Sequence, residues 1–370
     1  MKLTIRDIET IPIKAKLNKT YRGSYYWMTH RYTTITKVIT EEGIEGVCFN
    51  GDEEALDTID EIVHREIKPN LIGKDIMRFE VCREAMKPCT ANILRDRRLG
   101  LVAMACVESA LWDAFGKALG VPLYQLWGGY RTELPIVAIA GYYEEGKTLA
   151  DCGREMETLR GMGLAGCKFK VGGRSPEEDV ARVREARAGG GDDFILMVDA
   201  NQGWSVDDAI RFARLAEPLN LRWFEEPCKW WNDQLDMATV RQRSSIPVTA
   251  GQTEMSAAAC RSLMVNRSID VCNFDASWSG GPSEWLKVAK MAEAFGVEMG
   301  HHEEPQISAH LLAAVPNGTY VECFHPDRDP LFWELIANRP PLKDGIYTIP
   351  DGPGWGIELD AQTIARYRLT

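Results

Sequence analysis

The sequence lacks an excess of positive charge. Its 370 residues include 43 Lys and Arg but 54 Asp and Glu, which gives a net charge of −11, and no basic cluster stands out. Proteins that bind nucleic acid without sequence preference neutralise phosphates with Lys and Arg. We therefore expect a small-molecule partner and no nucleic acid.

Long hydrophobic runs and closely spaced cysteine pairs are also missing. No uninterrupted apolar stretch reaches the roughly 18 residues of a transmembrane helix. The start of the chain, MKLTIR, does not have the basic-then-apolar pattern of a signal peptide. The ten cysteines include no CxxC pair, which argues against a zinc or thioredoxin-type site. We expect reduced thiols, a cytoplasmic location and no membrane partner.

Short β-rich segments alternate with helical patterns from residue 134 onward. These segments begin 23 to 32 residues apart and cover 134–140, 166–171, 194–200, 221–225, 246–250, 269–274, 296–300 and 319–323. Parallel strands need a long crossover, so the alternation predicts a parallel sheet. Eight such units predict an α/β fold, the (β/α)8 or TIM-type barrel. An open doubly wound sheet is the alternative, but no GxGxxG turn follows the first of these strands.

The regions before and after these units have a different pattern. Strand-like segments at 5–16, 33–40 and 45–49 precede a helical pattern at 53–119, and a segment rich in Gly and Pro begins at 340. We predict an N-terminal α+β capping domain at 1–130, a catalytic barrel at 131–335, and a C-terminal extension at 336–370 that packs back on the cap.

Polar side chains collect where the predicted barrel strands end. In such barrels the C-terminal strand ends and the loops that follow carry the functional groups. Helix caps and surface charges placed independently would not all fall at matching strand ends. The set, from the second strand to the eighth, is Lys168 and Lys170, Asp199 and Asn201, Glu225, Gln252 and Glu254, Asp275, His302, and Glu322.

Asp199 and Glu225, on neighbouring strands, predict a metal site made only of oxygen ligands. With a third oxygen ligand from the fifth strand they suit Mg²⁺, which prefers oxygen in near-octahedral geometry. A metal flanked by bases is suited to removing the proton α to a carboxylate, because the metal stabilises the enediolate that forms.

Basic groups flank this predicted site on two sides. Lys168 and Lys170 point to the same face of one strand. A second ammonium nearby should lower the pKa of Lys170, which would allow Lys170 to act as a base. On the other side, Asp275 can hold one nitrogen of His302 and leave the other facing the substrate. Asp275 also stabilises the imidazolium, so His302 can deliver a proton.

In these residues the sequence resembles the enolase superfamily and, within it, the mandelate racemase subgroup. The resemblance covers essentially the whole chain. Its motifs are Lys168-Phe169-Lys170, Val198-Asp199-Ala200-Asn201, Phe224-Glu225-Glu226-Pro227, Asp275 before Gly280-Gly281, and the run ISAHLLAA at 307–314 after His302.

The resemblance implies roles for most of the strand-end residues. Asp199 and Glu225 would bind Mg²⁺, Lys170 and the His302–Asp275 dyad would face each other across the substrate, and Lys168 would assist Lys170. Glu322 would hydrogen-bond the substrate carboxylate. The loop at 21–31 would close over the site and help to set specificity. The expected substrate-binding residues are Asn201, Tyr25, His30 and Arg31.

One position departs from the pattern of the superfamily. The residue directly after the glycine of the fifth strand, usually Glu, is Gln252, and Glu254 follows two residues later. Either Gln252 is a ligand through its amide oxygen, or Glu254 turns inward. We favour Gln252.

The reactions of this subgroup include racemisation of 2-hydroxy acids and dehydration of sugar acids, and both begin with the same proton abstraction. The loop at 21–31 has more polar groups than an aryl substrate would need. We therefore predict a lyase of carbohydrate acid catabolism, an acid-sugar dehydratase that makes a 2-keto-3-deoxy acid. The alternatives are a racemase, epimerase or cycloisomerase, a Schiff-base enzyme that uses Lys170, and a non-catalytic ligand-binding barrel. The resemblance also implies a homo-oligomer.

Overall fold

The computed structural model describes residues 1–369, and its N-terminal part contains a three-stranded antiparallel sheet. The strands are β1 (Ile5–Arg22), β2 (Trp27–Thr40) and β3 (Glu45–Asn50), in that order across the sheet. Pairing between β1 and β2 continues to Arg22 and Trp27. The sequence predicts a loop at 21–31, but aromatic residues at this position favour extended chain. The segment is therefore the end of a hairpin with a tight turn at 23–26.

Helices pack against this sheet to complete the cap. They are α1 (Leu56–Ile62), α2 (Lys68–Leu71), α3 (Phe79–Met86), α4 (Arg97–Leu119) and α5 (Leu123–Leu126), with a π-helical turn at Val63–Ile67 and a 3₁₀ turn at Lys87–Thr90. By length and composition α4 could cross a membrane, but 78% of its apolar stretch is buried inside the protein, where it packs on β2 and β3. The burial of α4 is that of a core helix.

Eight parallel strands follow the cap. They are β4 (Glu133–Ala140), β5 (Gly166–Lys170), β6 (Ile195–Asp199), β7 (Phe224–Glu225), β8 (Val248–Ala250), β9 (Val271–Cys272), β10 (Glu298–Met299) and β11 (Val321–Phe324). Successive strands pair from β4 to β10, β11 pairs with β4, and a bridge from Met299 to Gly318 closes the ring. The predicted barrel is confirmed, and every strand overlaps its predicted segment.

Helices connect these strands on the outside of the barrel. They are α6 (Leu149–Gly161), α7 (Pro176–Gly190), α8 (Val206–Ala216), α9 (Asp233–Arg243), α10 (Ala257–Val265), α11 (Pro282–Phe295), α12 (Pro305–Ala314) and α13 (Pro330–Glu334), with 3₁₀ turns at Glu217–Leu219 and Trp230–Asn232. Ser175, Ser205 and Ser256 begin three of them by accepting a backbone N–H bond. All strand C-terminal ends therefore open at one end of the barrel.

The C-terminal segment packs on both the barrel and the cap. β12 (Ile346–Thr348) pairs antiparallel with β4, and α14 (Ala361–Tyr367) contacts β1. Trp355 is fully buried and donates its indole N–H to Ser109 O in α4 at 2.9 Å, and Leu369 N donates to Pro12 O at 2.9 Å. The extension predicted at 336–370 is described as far as Leu369, and Thr370 lies outside the described residues.

Candidate active site

Three neighbouring strands end in a row of charged side chains. Lys170, Asp199 and Glu225 are partners in the parallel register of β5, β6 and β7, and all three are buried. Registered residues of neighbouring strands project to the same side of the sheet, so these side chains meet inside the barrel. Lys170 Nζ donates to Asp199 Oδ2 at 2.7 Å and to Asn201 Oδ1 at 2.9 Å.

Lys168 lies two residues earlier on β5, deeper in the barrel. Its Nζ lies 2.8 Å from Glu322 Oε1 and 3.1 Å from Glu225 Oε2. Asn273 Nδ2 donates to Glu225 Oε1 at 2.8 Å. Lys168, Glu225 and Glu322 are each no more than 1% exposed. Lys168 is therefore the counter-ion of two buried carboxylates, which would otherwise be costly to desolvate.

The pKa of Lys170 corrects an expectation from the sequence. Burial by itself lowers the pKa of Lys170, but the Asp199 carboxylate outweighs burial and holds that pKa well above its usual value. The lowering predicted from Lys168 is therefore outweighed, and the pKa of Lys170 is raised instead. A cation bound to Asp199 would offset the negative charge that stabilises the Lys170 ammonium.

His302 is held by carboxylates at both ring nitrogens. Its Nδ1 lies 3.0 Å from Asp275 Oδ2, and its Nε2 lies 3.2 Å from Glu303 Oε1. Burial alone would lower the pKa of His302, but Glu303 and Asp275 outweigh burial and raise that pKa to about 10. The contact between His302 and Asp275 has the predicted form. The contact with Glu303 places a second carboxylate on the nitrogen expected to face the substrate.

Gln252 has the chemistry of a third metal donor beside Asp199 and Glu225. Its Nε2 donates to Glu226 Oε2 at 2.7 Å, and its Oε1 is buried without a partner. Since a carboxylate only accepts, the amide nitrogen must face Glu226 and the oxygen is the free end. An unpaired buried acceptor costs about 1–3 kcal/mol, and a cation that prefers oxygen would satisfy it. These residues fit Mg²⁺.

Two further observations bear on this donor set. Gly251, just before Gln252, has φ +138°, which L side chains rarely adopt, and a Cβ at this position would lie only 3.0 Å from Phe274 N. Within residues 1–369, no three His, Cys, Asp or Glu side chains are grouped as a metal site. Two carboxylates and an amide would leave the remaining positions of Mg²⁺ for substrate and water.

Glu254, the alternative third ligand, is placed elsewhere. It is only partly buried and is not among the residues that line the cavity over the strand ends. Its backbone oxygen accepts a bond from Ser279 Oγ at 2.6 Å. Gln252 lines the cavity and Glu254 does not, which favours Gln252 as the third donor.

A cavity of about 480 Å³ lies over the strand ends, between the barrel and the cap. Lys170 and His302 both line it, as do Asn201 and Gln252. The other lining residues are Tyr26, Trp27, Met28, Thr29, His30, Tyr32, Asp52, Glu53, Glu54, Arg98, Tyr142, Gln202, Glu226, Thr253, Trp278, Glu303 and Arg328.

The tip of the β1–β2 hairpin is bonded to the barrel at the cavity edge. Tyr26 Oη donates to Asn201 Oδ1 at 3.1 Å, and Ser24 Oγ donates to Asn201 O at 3.2 Å. Tyr25, predicted to contact substrate, is 71% exposed and donates its hydroxyl to Gly203 O at 3.3 Å. Tyr25, in the tight turn, therefore does not line the cavity, whereas Tyr26 does.

Arg31 is also placed differently from the prediction. It is 1% exposed, and its guanidinium lies 2.7 Å from Glu304, 3.3 Å from Asp52 and 3.3 Å from Asp329. Arg31 therefore joins the cap to two barrel loops and does not line the cavity. His30, the other predicted residue of β2, does line it.

Several charged residues of the cavity are not among the predicted site residues, and two of them, Glu303 and Arg328, lie close to the predicted groups. Glu303 directly follows His302, and Arg328 lies in the loop after β11. Arg328 is 2% exposed, and its Nε and Nη1 have no hydrogen-bond partner. Adjacency to His302 is the only signal that points to Glu303, and nothing in the local sequence separates Arg328 from a surface arginine. Glu322, predicted to hydrogen-bond the substrate carboxylate, accepts hydrogen bonds from Lys168 Nζ and the Glu303 backbone N–H.

Solved structures of similar proteins share this architecture. Two that are described as mandelate racemase/muconate lactonizing enzyme superpose with TM-scores of 0.97 and 0.94, at 54% and 52% identity, and each covers 100% of both chains. The second, from a marine actinobacterium, is in complex with magnesium. The magnesium cofactor predicted from the sequence is thereby confirmed at the level of the family.

Curated relatives include several kinds of enzyme. The 3,6-anhydro-alpha-L-galactonate cycloisomerase of Streptomyces coelicolor is 33% identical over 97% of both chains, and the arabinonate dehydratase of Saccharolobus solfataricus is 29% identical over 90% of both. The L-Ala-D/L-Glu epimerase of Bacillus subtilis is 28% identical over 96% of this chain and 97% of its own. Dehydration, cycloisomerisation and epimerisation all occur among these relatives.

Family descriptions match most of the chain. Residues 16–128 match the N-terminal domain of mandelate racemase/muconate lactonizing enzymes, and residues 151–363 match the enolase C-terminal domain-like family. The second match alone spans more than half of the sequence. The chain is therefore an enzyme of the enolase superfamily and belongs to its mandelate racemase/muconate lactonizing enzyme family.

Proposed function

We propose that this protein is a magnesium-dependent dehydratase of sugar acids. The observation that carries the proposal is that Lys170 and His302 line one cavity, beside the oxygen donors of Asp199, Glu225 and Gln252. A base and an acid on the walls of one site are what an elimination needs.

Lys170 and His302 would divide the proton transfers between them. Lys170 removes the proton α to the carboxylate, and the electron pair of that C–H bond forms the new C=C bond as the C3–O bond breaks. His302 donates its Nε2 proton to the departing oxygen, which leaves as water. The enol then takes up a proton at C3 and becomes the 2-keto-3-deoxy acid. When bound, Mg²⁺ would act as a Lewis acid toward the substrate carboxylate.

The walls of the cavity favour a polyhydroxy acid over an aryl acid. Asn201, Gln202 and Thr253 offer neutral hydrogen-bonding groups on one side, and Asp52 and Arg328 offer charged groups on the cap side. Hydroxyl groups can both donate and accept, so they can satisfy such a mixed lining. One of the relatives, the arabinonate dehydratase, is named for a sugar acid, which agrees with this proposal.

A cycloisomerase is the second candidate, because one cycloisomerase is 33% identical over 97% of both chains. Such an enzyme also needs proton transfer next to a carboxylate, so Lys170 would keep its role. The two reactions differ in product, since only dehydration yields a 2-keto-3-deoxy acid.

The test is a screen of mono- and diacid sugars with Mg²⁺, read by the absorbance of the semicarbazone of the keto product and by NMR in D₂O. We expect at least one acid to give a 2-keto product. Lys170→Met should lose both α-proton exchange and product, by about 10²–10⁴-fold. His302→Asn should keep exchange and lose product. Lys16→Met, at an exposed lysine of the cap, is the matched control.

The same screen identifies the competing reactions. Deuterium exchange at the α-carbon without keto product across the whole panel would replace the dehydratase with a racemase or epimerase. An isomer that forms without loss of water would support the cycloisomerase.

A further inference from the structure

Glu303 is a charged cavity residue that the proposed reaction does not use. It is 9% exposed, it lines the cavity, and its Oε1 lies 3.2 Å from His302 Nε2. The opposite ring nitrogen of His302 lies 3.0 Å from Asp275 Oδ2. The imidazole ring is therefore held between two carboxylates that come from different loops, one after β9 and one after β10.

This arrangement fits only one protonation state of the ring. A neutral imidazole has one N–H and one lone pair, so it can donate to only one of the two carboxylates. The other nitrogen would then direct its lone pair at a carboxylate oxygen. The imidazolium donates at both nitrogens and satisfies both Asp275 and Glu303.

Other charged groups near the ring do not reverse this balance. Lys168 opposes the imidazolium and Glu226 favours it, but each is held by its own partners, Lys168 by two carboxylates and Glu226 by Gln252 and Thr253. The ring of Trp278 lies 4.8 Å from the His302 ring, centroid to centroid, and the Arg98 guanidinium lies 3.8 Å from the centroid of the Trp278 ring.

The backbone fixes the direction of the Glu303 side chain. Glu303 and Glu304 have φ of +53° and +47°, a left-handed conformation that is uncommon for residues other than glycine. The Glu303 N–H donates to Glu322 Oε2 at 3.1 Å, and α12 begins at Pro305. The turn is thus anchored at both ends, and the carboxylate is directed at His302.

We infer that Glu303 is a positioning residue that, with Asp275, keeps His302 an imidazolium and so restricts it to donating protons. The inference rests on the proposed function and narrows it. A protonated ring can protonate a leaving hydroxyl, but it cannot remove an α-proton. Racemisation in both directions would require His302 to act as a base in one of them. Glu303 therefore favours elimination over racemisation at this site.

The test measures the charge of His302 by NMR of the Mg²⁺-loaded protein labelled with ¹⁵N-histidine. The chain has six histidines, and His302→Asn identifies the signal. We expect both ring nitrogens of native His302 to be protonated between pH 6 and 8.5. Glu303→Gln should lower its titration midpoint by about one to three pH units. Glu54→Gln removes an exposed carboxylate from the cavity rim and should leave the midpoint unchanged.

Activity gives a second measurement. In Glu303→Gln the rate of keto-product formation should fall between pH 6.5 and 8.5 as His302 loses its proton, and Glu303→Asp, which keeps the charge, should restore part of it. A neutral native His302 at pH 7.5, or an unchanged midpoint in Glu303→Gln, would overturn the inference. The NMR measurement needs no substrate, so a screen without keto product would refute the proposed function and leave this result standing.

Discussion

At the scale of single residues, we propose that Gln252 is the third oxygen donor to a bound cation. Its free amide oxygen is buried, whereas Glu254 lies outside the cavity. We expect Gln252→Ala to weaken Mg²⁺ binding about tenfold or more, because a donor in contact with the metal is lost. Glu254→Ala should bind Mg²⁺ like the native protein. Isothermal titration calorimetry of the two variants side by side checks this, and near-native binding by Gln252→Ala would contradict it.

Lys168 provides a second prediction at this scale. Its ammonium lies between the buried carboxylates of Glu225 and Glu322. Lys168→Met should lower the free energy of unfolding by about 3–5 kcal/mol, because both carboxylates lose their counter-ion. Urea unfolding at pH 7.5 measures this. Lys37→Met, at a half-exposed ion pair on β2, is the control and should change stability by less than about 1 kcal/mol.

The sequence predicts which residues are at the strand ends, but not where every side chain points. Lys170, Asp199 and Glu225 are predictable because strand ends are recognised from local pattern. Tyr25 and Arg31 are in the right segment but face other partners. The orientation of Tyr25 depends on the hairpin turn and its contact with Gly203, and that of Arg31 on contacts with Glu304 and Asp329, 273 and 298 positions away. A local pattern carries no information on such contacts.

At the scale of elements, His310 connects three separate segments. It lies on α12, its Nδ1 accepts from Tyr124 N on α5 at 3.2 Å, and its Nε2 lies 3.0 Å from Trp355 O. Burial lowers the pKa of His310 to about 4. The unfolded chain, with an ordinary histidine pKa near 6.5, binds a proton that the folded protein excludes. His310 therefore stabilises the fold less as the pH falls from 6.5 toward 4.

The size of this effect can be measured. Between pH 7.5 and pH 5, His310 should account for a loss of about 2 kcal/mol in the free energy of unfolding. His310→Gln should be less stable than native at pH 7.5, and its further loss at pH 5 should be smaller by that amount. Urea unfolding at the two pH values gives both numbers. An equal pH-dependent loss in the two proteins would contradict the prediction.

Element boundaries show where sequence patterns stop being informative. Seven of the eight barrel strands are shorter than their predicted segments, and β9 and β10 have two residues each. The apolar segments of the sequence extend beyond the hydrogen-bonded strands, because the residues that flank each strand still pack in the core. An apolar pattern indicates burial, but it does not show which buried residues pair with a neighbouring strand. β12 is not predicted at all, since its three residues become a strand only by pairing with β4.

At the scale of the whole molecule, Arg31 couples the cap to the barrel. It comes from β2, and it lies within 3.3 Å of Asp52 after β3, Glu304 before α12 and Asp329 before α13. Arg31→Met should lower the free energy of unfolding by about 3–5 kcal/mol, because buried carboxylates lose their common cation. Arg22→Met, at an exposed arginine of the hairpin tip, should change it little. Thermal unfolding followed by circular dichroism compares the two, and equal losses would contradict the assignment.

The hairpin at the cavity edge constrains how substrate preference can change over evolution. Along 26–30 all five side chains line the cavity, and the less exposed Tyr26, Met28 and His30 alternate with the more exposed Trp27 and Thr29. A single inserted or deleted residue would exchange the two sets and also shift the ladder to β1. Single substitutions can therefore change the hairpin side chains that line the cavity one at a time, whereas insertions that lengthen the hairpin are not readily tolerated. Directed-evolution libraries should accordingly vary residue identity at these three positions and keep the chain length fixed.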